Sequence, residues 1–269
     1  MTKQVCAFYF SPTGGTKKVL EAFLSGFGAD NISRIDWTVC ANRKEEEIVP
    51  EGTLTIIAVP VYGGGVPALL LPVIKGLRGK NNPLVVLTVY GNMSQGVAIQ
   101  QVACYSAQNG FHLIAAGAFI ARHTFSSKKY PVAEERPGPS DLDCAREFGL
   151  RVHNKLINGN SLSIQIPQSK PLFLFLKDHF SINSSKVYAL PPSIDLEKCR
   201  ACGVCARYCP VQAISINDFK VDPVLCLHCG RCITLCPEHA RKQMFRFNIP
   251  VSRLLNRLAD SGCSPILYE

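Results

Sequence analysis

Short, almost uninterrupted apolar runs alternate with longer amphipathic stretches through the first part of the chain. Residues 4–10 (QVCAFYF), 53–61 (TLTIIAVPV), 83–89 (PLVVLTV) and 112–121 (HLIAAGAFIA) have strand length and little or no polar face, as strands covered on both sides do. Residues 32–37 supply a fifth, more polar strand. Helical periodicity fills the gaps at 17–27, 66–76, 95–109 and 140–156. This alternation predicts a doubly wound α/β fold with a five-stranded parallel sheet over residues 1–158, with ligands at the carboxyl ends of the strands. Residues 159–190 break the pattern and read as a joint, punctuated by Pro167 and Pro171 and carrying the apolar run PLFLFL (171–176), expected to pack between two domains. A cysteine-rich unit follows at 191–247, continuing after Pro191 and Pro192. Residues 248–269 then give a short amphipathic helix, Val251 to Ala259 ending near Gly262, and a tail.

The cysteine-rich unit contains CRACGVCARYCP and then CLHCGRCITLCP. Cys199, Cys202, Cys205 and Cys209 each recur 27 positions later, as Cys226, Cys229, Cys232 and Cys236, and each run ends in proline. A C-x2-C-x2-C loop presents three thiolates to three corners of an iron–sulfur cube, and in a two-cluster arrangement the fourth cysteine of each run ligates the other cluster. That assigns cluster I to Cys199, Cys202, Cys205 and Cys236, and cluster II to Cys226, Cys229, Cys232 and Cys209. Zinc collects four ligands per ion from paired C-x2-C motifs and does not call for this ladder. The other five cysteines, Cys6, Cys40, Cys104, Cys144 and Cys263, are scattered in apolar context and read as reduced thiols. The first repeat continues Ala213-Ile214-Ser215-Ile216, an apolar strand. The second continues Ala240-Arg241-Lys242-Gln243, whose charges would raise the potential of the nearer cluster, dock an acidic partner, or cap a solvated strand end. This segment resembles the bacterial ferredoxins that carry two [4Fe-4S] clusters, including Gly203 and Gly230 inside the cluster-wrapping loops.

A second motif lies after the first strand: Ser11-Pro12-Thr13-Gly14-Gly15-Thr16, leading into a helix. Hydroxyls and backbone N–H groups that converge at a helix start bind phosphate, and no Walker lysine follows the glycines. The arrangement resembles the phosphate loop of flavodoxins. That resemblance implies FMN, with its phosphate on Ser11, Thr13, Gly14, Gly15 and Thr16. Its ring would lie between the loops at Tyr62, Gly63, Gly64 and at Tyr90, Gly91, Asn92, the tyrosines flanking it and the backbone amides reaching its edge. Met93 and Gly65 stand where relatives often carry arginine. His123, leaving the fifth strand at the same edge, is the candidate proton donor. The polar segment 126–139 is expected to cover the flavin edge or to meet the second domain. A glycine pattern at Gly63, Gly65 and Ala68 mimics a dinucleotide fingerprint, but Pro67 interrupts it and no acidic residue closes the next strand.

Composition changes this picture little. The net charge of +9 over 269 residues falls to about +3 once two clusters and a flavin phosphate are counted. Lysine and arginine are dispersed, so nucleic acid is not an expected partner. No apolar run approaches the 18 or so residues of a membrane span, and the expected location is the cytoplasm. As a whole the chain resembles single-chain flavodoxin–ferredoxin fusions. That implies electron transfer between two [4Fe-4S] clusters and FMN, with a ferredoxin or oxidoreductase as redox partner. The alternatives are a ferredoxin-fed FMN reductase of a quinone, disulfide or enone, and an electron-transfer subunit of a larger complex.

Overall fold

A computed structural model describes residues 4–159, 163–169, 185–259 and 264–269. The apolar runs form β1 (Val5–Tyr9), β4 (Leu54–Pro60), β6 (Asn82–Tyr90) and β7 (Phe111–Ile120), with β2 (Ile32–Asp36) at one side. The sheet order is β10-β7-β6-β4-β1-β2. All pairings among β2, β1, β4, β6 and β7 are parallel. The chain leaves β1 for one side of the sheet and returns to its other side, so the switch point lies between β1 and β4. This is the flavodoxin-like member of the doubly wound folds, which places its ligand at that crevice.

Side chains alternate across the sheet into two cores. Val5, Ala7 and Tyr9 of β1 face one, while Cys6 and Phe8 face the other. The first core is closed by α1 (Gly15–Phe27) and α4 (Pro139–Ile157), through Phe23, Phe27, Phe148 and Val152. The second is closed by α2 (Leu71–Gly76) and α3 (Ala98–Ala107), through Ile74 and Val102. Two glycines let α1 and α4 approach. A Cβ on Gly149 would stand 2.1 Å from the Phe23 carbonyl oxygen, and one on Gly26 would stand 1.8 Å from that of Arg146. Gly149→Ala is therefore expected to cost about 3 kcal/mol or more, read as a lower urea midpoint, whereas Leu150→Ala on the exposed face moves it little.

Four features depart from the sequence expectation. The sheet has six strands, because β10 (Ile266–Tyr268) in the C-terminal tail adds antiparallel to β7. A three-residue segment carries too little periodicity to announce itself as a strand. A small pair, β3 (Glu47–Ile48) with β5 (Leu77–Arg78), was likewise illegible. The Ala213–Ile216 stretch contributes only an isolated bridge, Ile214 to Val221. The charged stretch after the second repeat forms β9 (Arg241–Phe245), antiparallel to β8 (Ala189–Ile194).

The helix expected from Val251 is α7 (Asn248–Ala259), and it buries Val251, Leu255 and Leu258 along one stripe. They meet Phe125, Val132 and Ala189, with Tyr130, Tyr188 and Phe245 alongside. The long polar segment after His123 thus meets the cysteine-bearing part through Phe125 and Val132. Of the joint, residues 163–169 lie along the sheet. The Ile164 N–H donates to the Leu113 carbonyl (2.9 Å), and Ile166 is buried in the α3-side core. The 171–176 run, Gly262 and Cys263 lie outside the described residues, as does the joint's contact they would make.

Candidate functional site

The two cysteine runs fold as copies of one another. Gly203 and Gly230 share φ 72 and ψ −1, a left-handed conformation that glycine adopts without strain, and they open the short helices α5 (Val204–Arg207) and α6 (Arg231–Thr234). Equivalent bonds recur 27 residues apart. The N–H groups of Ala213 and Ala240 both donate to a cysteine sulfur at 3.3 Å, that of Cys209 and of Cys236 respectively. The Cys199 and Cys226 N–H groups bond the carbonyls of Asp195 and Asp222.

Two cavities result. Cys199, Cys202, Cys205 and Cys236 line one. Cys209, Cys226, Cys229 and Cys232 line the other. Each therefore takes three thiols from one run and the proline-linked fourth from the other. Among the described residues no three His, Cys, Asp or Glu side chains converge tightly enough for a single metal ion. The thiols stand around a cavity instead, backed by N–H donors to sulfur, and this donor set fits an iron–sulfur cube. Burial pushes the Cys229 and Cys232 thiols up to about 12, so loading that cavity must release their protons.

The flavodoxin-like edge is assembled from three loops. Ser11 and Thr16 are buried and Thr13 is exposed. The Ser11 N–H donates to Thr38 Oγ1 (2.8 Å), and Ser11 Oγ accepts the Lys17 N–H (2.9 Å), fixing the loop at the start of α1. Gly14 precedes that helix with no side-chain cap, and space is open on its Cβ side. In the next loop the Tyr62 and Gly65 backbones bond one another, and the Val97 N–H donates to the Gly64 carbonyl. Burial first, and then the Cys229 charge, pushes the Tyr62 phenol well above its ordinary value, so this ring lies within electrostatic reach of the second cavity. Ser11, Thr13, Gly14, Gly15, Thr16, Tyr62, Gly63, Gly64, Gly91, Asn92 and His123 thus share one edge of the sheet. Open space at Gly14 beside an uncapped helix start fits a phosphate.

One placement corrects the sequence reading. Tyr90 is the last residue of β6, and its side chain, 5% exposed, belongs to the α3-side core instead of standing over the edge. At Gly91, the space a side chain would take is held by His123, whose Cδ2 lies 2.6 Å from an added Cβ. The Asn92 side-chain amide donates to the Leu258 carbonyl of α7 (2.7 Å), so this loop carries the C-terminal helix.

His123 Nδ1 accepts the Phe125 N–H (3.0 Å), leaving the proton on Nε2, and burial lowers the ring's pKa to about 4. The position expected for a proton donor is therefore held by a neutral imidazole. The unfolded chain takes up this proton near pH 6.5 and the folded one only near pH 4. Stability from this group is full above pH 6.5 and is lost as pH falls to about 4, by up to about 3 kcal/mol. His123→Asn, which keeps an acceptor at the Nδ1 position, is expected to flatten that part of the denaturation midpoint against pH.

Sequence reasoning missed the residues that join the two halves of the site. Arg231 Nη1 donates to the Pro12 carbonyl (2.8 Å) in the phosphate loop, and its Nε donates to the Tyr208 carbonyl (2.9 Å). An added Cβ on Gly230 would meet Thr124 Cγ2 at 3.1 Å and Thr13 Cγ2 at 3.8 Å. Arg43 Nη2 donates to the Pro210 carbonyl (2.6 Å), and Leu227 packs against the α3-side core. The loop of the second run is thus seated on the flavodoxin-like edge.

Comparison with known proteins finds a matching domain in the cysteine-bearing part and similar solved structures. Residues 198–240 match the 4Fe-4S dicluster domain. Similar solved structures include a flavodoxin from the domain Archaea (14% identity, 57% of this chain and 99% of that one, TM-score 0.39). A Fusobacterium nucleatum flavodoxin bound to flavin mononucleotide is also similar (13%, 57% and 98%, 0.39). So is an NAD(P)H:quinone oxidoreductase from Methanothermobacter marburgensis (12%, 58% and 98%, 0.36). No curated protein matches the chain in sequence. The strand order and the matched domain define a flavodoxin-like α/β fold joined to a C-terminal 4Fe-4S ferredoxin domain. Such a pairing is that of an electron-transfer or oxidoreductase protein. Among the described residues no helix is long and apolar enough to cross a membrane.

Proposed function

We propose that this chain relays single electrons between two [4Fe-4S] clusters and FMN. The observation that carries the reading is the seat of the second cysteine loop. Arg231 ties it to Pro12 of the phosphate loop, and Gly230 lies against Thr13 and Thr124. When bound, the clusters supply one-electron transfer, and the flavin exchanges one or two electrons.

The chain's own residues do the positioning. Cys199, Cys202, Cys205 and Cys236 would hold cluster I, and Cys226, Cys229, Cys232 and Cys209 would hold cluster II. Ser11, Thr13, Gly14, Gly15 and Thr16 would hold the flavin phosphate, with Tyr62, Gly63, Gly64, Gly91 and Asn92 toward its ring. Cys202 is the exposed member of the cluster I set, and Cys226 of the cluster II set is buried. Cluster I is accordingly the end open to a redox partner protein, and cluster II is the end next to the flavin. Tyr62 lies within electrostatic reach of Cys229 and Asn92 is held by α7, which supports a carrier over a reductase with an open substrate pocket. The free thiols of Cys6, Cys104 and Cys144 suit the reducing cytoplasm.

Cofactor content of protein purified without oxygen tests the reading. About eight iron, eight sulfide and one FMN per chain are expected. Iron without flavin would remove the flavin half, and zinc in place of iron would overturn the relay.

A further inference from the structure

Arg241 is the residue whose position the relay leaves unexplained. It opens β9 opposite Ile194 of β8, and it is 3% exposed. Among the described residues no carboxylate lies within ion-pair distance of it, whereas its neighbour Lys242 is exposed with Asp195 3.9 Å away. Arg241 Nη2 donates to the Phe219 carbonyl (2.6 Å) and to Cys205 Sγ (3.4 Å), while its Nε is buried without a partner. The side chain lines the cavity of Cys199, Cys202, Cys205 and Cys236.

A guanidinium out of water and without a carboxylate is strongly unfavourable unless another negative group answers it. The thiolates of the cavity it lines, Cys205 first, are the negative groups within its reach. Resting on the reading that these sets hold [4Fe-4S] clusters, we propose that Arg241 is the internal counter-charge of cluster I and raises the potential at which it accepts an electron. A cube with four thiolates carries about −2 when oxidised and about −3 when reduced. A fixed positive charge against Cys205 therefore stabilises the reduced form more than the oxidised one. The sequence left open whether the charges after the second repeat tune a cluster or dock a partner. Burial separates the two residues: Arg241 faces the cavity, and only Lys242 reaches the surface.

The step that reads this out is one electron passing from the sulfur dioxide radical anion of dithionite to the cluster. The radical is oxidised, the cluster is reduced, and no bond or proton moves. The test is an EPR-monitored redox titration of the full chain, with iron and sulfide counted on the same samples. Arg241→Met is expected to keep its iron and to show a reduced-to-oxidised ratio for cluster I about tenfold lower at any fixed potential, which is about 59 mV for one electron. Arg241→Lys, which keeps the charge and loses the fork, should stay within about threefold of the parent. A fully loaded Arg241→Met with an unchanged titration overturns the proposal while leaving the relay intact. If Arg241→Met fails to load and Arg241→Lys loads, the charge itself is what the site needs, as proposed. If neither loads, the fork serves only to hold the Phe219 loop and the proposal falls. An iron-free parent chain would instead remove the cluster reading, and this one with it.

Discussion

Cys209→Ala is expected to empty the cavity of the second cysteine run, although Cys209 belongs to the first. It lines that cavity with Cys226, Cys229 and Cys232, whereas the other three cysteines of its run line the opposite one with Cys236. Protein purified without oxygen should fall from about eight iron to about four, and Cys236→Ala should cost the same amount from the other site. The two variants are distinguishable because the cavities differ in their place in the fold. The loop carrying Cys229 and Gly230 rests against Thr13, Thr124 and the Pro12 carbonyl. Loss of the cluster there should slow dithionite-driven bleaching of the flavin by orders of magnitude. Loss of the distal cluster should chiefly slow exchange with a protein partner. Equal iron loss with equal bleaching rates in both variants would refute the assigned order. Retention of all the iron in Cys209→Ala would refute the crossed ligation.

Thr13→Glu should abolish tight flavin binding while sparing the fold. Thr13 is exposed at the start of α1, between Ser11, whose side chain fixes the Lys17 N–H, and Gly14, beside which space is open. A carboxylate introduced there meets a phosphate that carries nearly two negative charges. At about 4 Å and an effective dielectric near 20, two like charges repel by about 4 kcal/mol, so at least a hundredfold loss of FMN affinity is expected even after screening. Thr13→Val, which removes only a hydroxyl donor, should cost about tenfold. Fluorescence titration of apoprotein with FMN gives both numbers. The iron content and urea midpoint of Thr13→Glu should match the parent, showing that the adjoining Gly230 loop stays seated. Unchanged affinity would mean that the phosphate is held elsewhere.

How much of this site was legible depended on how local each feature is. The cysteine ladder was fully legible, because a cube imposes its spacing on a few consecutive residues, and Gly203 and Gly230 were marked by the same loop geometry. The Ser11–Thr16 turn was legible for a similar reason, being built from one strand end and the first turn of one helix. Tyr90 was misplaced by a single step of strand parity: its position at the end of β6 is what the pattern predicts, but the side chain falls on the core face. His123 looked like a loop histidine. The absence of a side chain at Gly91 and the N–H of Phe125 make it a packed, neutral ring.

The sequence by itself determined the parallel α/β sheet, the crossed cysteine sets and the strand–turn–helix at Ser11–Thr16, because each follows from short-range periodicity or spacing. Only the tertiary structure decided which cluster site adjoins the flavodoxin-like edge, since Arg231 and Pro12 are 219 residues apart and pair through a backbone carbonyl that any residue supplies. It also decided that the C-terminal tail returns to cover β7, and that α7 packs over Asn92. The same holds for Arg241 and Lys242. They are adjacent and alike in charge, and the alternation of a β-strand turns one toward Cys205 and its cavity and the other toward water.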